Sequence, residues 1–110
     1  MKRFTALLAI SLIGIIAIKA QNNLQTRTVA TNLDTPWEIL WGPDNFIWIT
    51  ERFGKISRVN PISGDVLEVV TIADAKEIGE GGLLGMVLDP DFRTNNFFYV
   101  AYNYDAAGND

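Results

Sequence analysis

The sequence predicts an all-β fold of the β-propeller type, on three observations. Short apolar or alternating runs are separated by dense turn chemistry, no stretch shows a helical period, and a strand-turn-strand pattern restarts after 47 residues. An ordinary β-sandwich satisfies the first two observations but has no need of the third.

The elements follow in order. Leu24–Ala30 (LQTRTVA) alternates polar and apolar residues and reads as a strand. Trp37–Trp41 (WEILW) is a compact apolar run closed by Gly42-Pro43-Asp44-Asn45, four turn formers together. Phe46–Glu51 (FIWITE) is rich in the β-branched and aromatic residues that suit a pleated surface, and Phe53-Gly54 turns the chain. Lys55–Asn60 (KISRVN) sets Ile56, Arg58 and Asn60 against Ser57 and Val59, and Pro61-Ile62-Ser63-Gly64 leads into Asp65–Ile72 (DVLEVVTI). From Trp37 to Ile72 this is one four-stranded antiparallel meander. After the connection Ala73–Gly82 come Leu83–Leu88, the turn Asp89-Pro90-Asp91 and the strand Asn96–Tyr104 (NFFYVAYNY).

The two turns align as Trp41-Gly42-Pro43-Asp44 over Leu88-Asp89-Pro90-Asp91, an offset of 90 − 43 = 47, and Phe46–Ile49 then matches Phe97–Val100 after a four-residue insertion. A repeated meander is the sequence form of a propeller blade, so the chain is read as the first blade and part of a second. Propellers typically close with about 4–8 blades. The sequence is therefore expected to be the N-terminal part of a longer protein, over residues 21–110, with Leu24–Ala30 belonging to the closing blade.

The first twenty residues stand apart. Lys2 and Arg3 precede the uncharged run Phe4–Ile18, and Lys19-Ala20 leads into polar Gln21-Asn22-Asn23, the layout of a secretory signal peptide over residues 1–20. A membrane anchor is the rival reading, but the 15-residue run falls short of the roughly 20 residues that span a bilayer. The expected location is periplasmic or secreted. Removing the leader takes away three of nine Lys and Arg and none of the 13 Asp and Glu, which leaves 6 − 13 = −7. So acidic a surface argues against nucleic acid and anionic membrane as partners. The absence of cysteine excludes disulfide staples, and the absence of histidine removes the commonest general base and metal ligand.

Candidate chemistry centres on EIGEGGLLGMVLDPDF, Glu77–Phe92, in which Glu80 stands against Gly81 and Gly82. On residue type alone, Glu80 is a loop carboxylate that caps backbone amides of the following turn, and the two glycines serve backbone geometry. Gly79-x-Gly81-Gly82 does not match a phosphate-binding loop. Trp41 and Trp48 are read as packing between blades, whereas Trp37, at a strand start, stays open between packing and sugar stacking. Glu51-Arg52 is read as a surface ion pair. Asp44, Asp89, Asp91 and Asp105 lack the spacing of a calcium loop and are assigned to turns, so no metal ligand is expected here.

Leu33–Asn60, LDTPWEILWGPDNFIWITERFGKISRVN, together with Gly79–Phe92, GEGGLLGMVLDPDF, resembles the soluble quinoprotein glucose dehydrogenases of the glucose/sorbosone dehydrogenase family. The resemblance covers nearly all of the chain beyond the leader. It implies a six-bladed propeller, pyrroloquinoline quinone (PQQ) as cofactor, calcium to hold it, and oxidation of a sugar hydroxyl with onward transfer to an electron acceptor. The catalytic histidine, the cofactor-holding cations and the calcium ligands are implied to lie in later blades, which leaves no catalytic residue here and this part expected to be inactive alone. One position carries over. The residue before Gly-Gly-Leu-Leu-Gly in the family motif contacts the sugar and is glutamine in the glucose enzymes; here it is Glu80, a substrate-binding candidate that accepts hydrogen bonds from sugar hydroxyls. Asp89 stands where many relatives have histidine, at the turn end of its strand, and is read as structural. The alternative function is a secreted, non-enzymatic propeller that binds a glycan or a protein, because propellers host both classes.

Overall fold

The computed structural model describes residues 24–106. The leader expected over residues 1–20 lies outside the described residues.

Two antiparallel sheets carry the chain. The first is a meander in chain order, β1 (Pro36–Trp41), β2 (Ile47–Glu51), β3 (Lys55–Val59) and β4 (Val66–Thr71). The second pairs β5 (Leu83–Leu88) with β6 (Phe98–Tyr102), joined through one helical turn, α1 (Phe92–Asn95). This is a complete four-stranded blade followed by the inner half of another. The strand boundaries lie within two residues of those expected, except for Leu24–Ala30, which forms no strand. Its residues have no ladder partner among the described residues; Val29 and Ala30, with Leu33, line a small apolar cavity with Ile39, Ile47, Ile49 and Val59. An alternating pattern supplies a strand's side chains but not the neighbouring backbone that a ladder needs.

The repeat is visible in the backbone. Trp41 pairs with Ile47 and Leu88 with Phe98, so the first hairpin loop spans residues 42–46 and the second 89–97, four residues longer. Those four extra residues form α1, a helix too short to leave a periodic trace in sequence. The turn bonds coincide, Gly42 N–H to Phe46 C=O at 2.8 Å and Asp89 N–H to Phe97 C=O at 3.0 Å. Both hairpins break register at the same place, between Pro36 and Ile39 and between Leu83 and Met86. Left-handed backbone repeats too, at Asn32 and Gly79, at Thr35 and Gly82, and at Asn45 and Asn96.

The core lies between the two units. Trp48, Ile56, Ala75, Leu83, Met86 and Phe92 are buried together, with Leu40, Phe46, Leu88, Phe98 and Val100 packed against them. Trp48 meets Phe92 edge to face at 5.4 Å and Phe98 at 5.6 Å, and its indole N–H donates to Asp44 at 3.1 Å. The packing role expected of Trp48 holds. Trp41 lies on the other face of β1, which turns Leu40 toward the second unit, and is 60% exposed among the described residues. Polar contacts also stitch the units. Glu38 N–H donates to Thr50 Oγ1 at 3.0 Å, and that hydroxyl donates to the Leu84 carbonyl at 2.8 Å. One buried hydroxyl thus serves both a donor and an acceptor that burial would otherwise strand.

Candidate functional site

The starts of β1 and β5 meet at Arg52, which bonds to Thr35 and Leu83 and to the segment Glu77–Gly82 that leads into β5. The register break in the first hairpin sets two residues, Trp37 and Glu38, opposite the single Thr50. Bulges of this kind re-aim side chains and recur beside functional sites. Trp37, half exposed at this end of β1, lies against Arg52, whose guanidinium carbon stands 5.9 Å from the indole ring centre.

Arg52 organises the site, although sequence reasoning paired it with Glu51 on the surface. That reading is corrected on both residues. Glu51 is 1% exposed; its Oε1 accepts from Asp34 N–H at 2.5 Å, and Lys55 Nζ lies 3.1 Å from Oε2. Glu51 is the last residue of β2 and Arg52 opens the turn after it, and their side chains diverge there. The Arg52 side chain turns instead to the loop 27 and 29 residues ahead. Its Nη2 donates to the Gly79 carbonyl and, at 2.7 Å, to the Gly81 carbonyl, which also accepts from Nε at 3.1 Å. Glu77 stands 3.8 Å from the same guanidinium. The Arg52 backbone is tied as well, with its N–H donating to Thr35 at 3.1 Å and its carbonyl accepting from Leu83 at 2.7 Å.

The glycines beside Glu80 have separate reasons. Gly82 takes φ +133°, and a Cβ there would run into the Arg52 carbonyl, so close approach and left-handed backbone both require glycine. Gly81 has ordinary φ, but a Cβ would press on Asn103 Oδ1 at 3.0 Å and the Ile78 carbonyl at 3.1 Å. Asn103 Oδ1 also accepts from Gly82 N–H at 3.3 Å.

Glu80 itself is exposed, and among the described residues its carboxylate has no hydrogen-bond or ion-pair partner. The capping role that its type suggests is not observed, since the Gly81 amide goes to Ile78 and the Gly82 amide to Asn103. A rigidly tied loop thus presents one unpartnered acceptor group, and Arg52, which ties that loop, also meets the half-exposed indole of Trp37. That pairing suits a ligand rich in hydroxyl donors with apolar ring faces.

Two further carboxylates, Asp44 and Asp89, are structural. Asp44 accepts from Phe46 N–H, the Trp48 indole and Arg58. Asp89, at the far end of β5, accepts from Asn95 Nδ2 and Asp91 N–H at 2.9 Å each and from Tyr99 Oη at 2.7 Å. The Asn95, Tyr99 and Asp91 donors hold the Asp89 carboxyl below its ordinary range, and the same carboxylate raises the Tyr99 phenol. Among the described residues no group of three or more acidic side chains stands close enough to hold a metal.

Comparison with known proteins agrees with this architecture. Quinoprotein glucose dehydrogenase B of Acinetobacter calcoaceticus is 45% identical over 86 residues, 72% of this chain and 17% of that protein. Aldose sugar dehydrogenase YliI of Escherichia coli K12 is 29% identical over 85 residues, 76% of this chain and 23% of that protein. The PQQ-bound aldose sugar dehydrogenase of Streptomyces coelicolor superposes with a TM-score of 0.67 at 33% identity, over 71% of this chain and 24% of that one. The chain therefore spans about a fifth of the length of the curated relatives it matches. The family description "Glucose / Sorbosone dehydrogenase" matches residues 33–110, and the chain belongs to that family.

Proposed function

We propose that this chain forms the first blade, and the start of the second, of an exported, six-bladed, PQQ-dependent sugar dehydrogenase. The reaction class is oxidation of a sugar hydroxyl, for which a bound quinone would supply the hydride acceptor and a base elsewhere in the full-length protein would take the hydroxyl proton. Calcium would hold the quinone there, and an external acceptor would take up its electrons. Family membership supports the class of reaction, and the dehydrogenases named above support the choice of sugar and quinone.

The described residues do not fit the cofactor's needs. A quinone bearing carboxylates calls for free cations, and each of the six described Lys and Arg already has an acceptor: Arg27 the Pro61 carbonyl, Arg52 its loop, Lys55 Glu51, Arg58 Asp44, Lys76 Asp105 and Arg93 the Pro43 carbonyl. No step through the quinone or the metal is therefore assigned to these residues. Their part in the reading is the sugar. Glu80 is the substrate contact, accepting hydrogen bonds from sugar hydroxyls. The observation that carries this is its exposed, unpartnered carboxylate on a loop whose backbone is tied on both sides.

The test uses the full-length protein reconstituted with PQQ and calcium and assayed by dye reduction against a panel of aldoses. Sugar-dependent reduction that needs both additions is expected. Sugar binding without reduction at saturating cofactor would contradict the proposal and favour a binding propeller.

A further inference from the structure

We propose that Arg52 is a positioning residue for sugar recognition, fixing the direction in which Glu80 is presented. The inference rests on the reading of Glu80 as the sugar contact and adds to it a residue that no motif marks. The guanidinium binds the carbonyls of Gly79 and Gly81, one on each side of Glu80. With the turn bond from Gly81 N–H to Ile78 at 2.9 Å, the peptides around residue 80 are held, and with them its Cα–Cβ direction. The clamp is itself anchored, because the Arg52 backbone is bonded to Thr35 on one side and to Leu83 on the other. The loop is thus referenced to the inner strands of both units at once.

The chemistry is specific to arginine. A planar fork reaches two carbonyls while one face lies on Trp37 and Glu77 balances the charge; a lysine ammonium offers a single point charge without a face. A solvated loop carboxylate needs no such support, whereas a recognition group must be held near its productive geometry by neighbours that are themselves locked.

The experiment compares Arg52→Lys, Glu77→Gln and Glu80→Gln in the full-length PQQ-loaded protein. Three quantities are read: amide hydrogen exchange over residues 77–83, KM and kcat for several aldoses, and the unfolding midpoint. For Arg52→Lys, exchange in that segment rises about tenfold. The relative kcat/KM among sugars shifts about threefold to tenfold, through KM, with kcat within about twofold. Glu77→Gln, which keeps the fork, gives a smaller shift in the same direction and serves if the lysine variant does not fold. Glu80→Gln changes sugar preference without changing exchange. Altered preference in Glu80→Gln alone, with Arg52→Lys and Glu77→Gln like the parent, overturns the positioning role and leaves Glu80 standing. Unchanged preference in Glu80→Gln overturns both. A lowered midpoint with unchanged sugar preference in Arg52→Lys makes Arg52 structural only and overturns the proposal.

Discussion

The segments that lead into β1 and β5 share one backbone and do different chemistry. Asn32 and Gly79 take φ of 61° and 58°, Thr35 and Gly82 follow with left-handed φ, and each segment is bonded to the end of the paired strand, Thr35 to Arg52 and Gly82 to Asn103. Between them, Leu33 and Glu80 occupy the same place in the repeat. Leu33 lines an apolar cavity, and Glu80 stands in solvent without a partner. The repeated scaffold supplies geometry, and a single side chain decides whether a position packs or stands free in solvent.

Substitutions in the full-length protein break or sharpen that comparison. The largest effect is expected at Trp48, which fills the space between the units, while its counterpart Tyr99 is 55% exposed among the described residues. Trp48→Ala should cost about 3–5 kcal/mol in urea unfolding. A cost under about 1 kcal/mol would mean that the units do not depend on this contact. Gly82→Ala comes next, at about 3 kcal/mol, since it combines positive φ with a clash against backbone. Gly79→Asn is its control: the counterpart is already Asn32, and a Cβ at Gly79 meets nothing within 4 Å. It should stay within about 0.5 kcal/mol of the parent.

The smallest effect concerns the second turn. The Asp89 carboxyl is lowered by its Asn95, Tyr99 and Asp91 donors, so its stabilisation is present at neutral pH and is lost as pH falls below about 3.9. The Tyr99 phenol is raised by Asp89, so its part is present below about pH 10 and is lost as pH rises beyond that. Tyr99→Phe should weaken both the acid-side and the alkaline-side loss, the Tyr102 phenol, raised by Asp74, keeping part of the latter, with little change at neutral pH. Parent-like loss at both ends would remove the pair from the account.

Much of this was legible in the chain. Five of the six observed strands lie inside the expected runs and β1 starts one residue before its run, because turn formers bound each run and apolar residues alternate within it. The offset of 47 at the two Pro-Asp turns against 97 − 46 = 51 at the strands after them equals the four-residue insertion that forms α1. What stayed hidden depends on distant partners. Leu24–Ala30 alternates like a strand, but the closing-blade strands expected to pair with it are not among the described residues. Glu51 and Arg52 look like a pair and diverge, one buried against Asp34 and Lys55 and the other clamping Gly79 and Gly81. Sequence spacing does not encode where a guanidinium folds back across 29 residues.

The central claim, that Glu80 is this chain's contact with the sugar, is tested most directly by Glu80→Gln in the full-length enzyme. The measurement is kcat/KM for matched aldoses that differ at single hydroxyls, with unfolding followed in parallel. The account expects the ratio between sugars to change by about fivefold or more, through KM, with an unaltered unfolding midpoint. The same sugar profile in parent and variant, at equal cofactor loading, would contradict it.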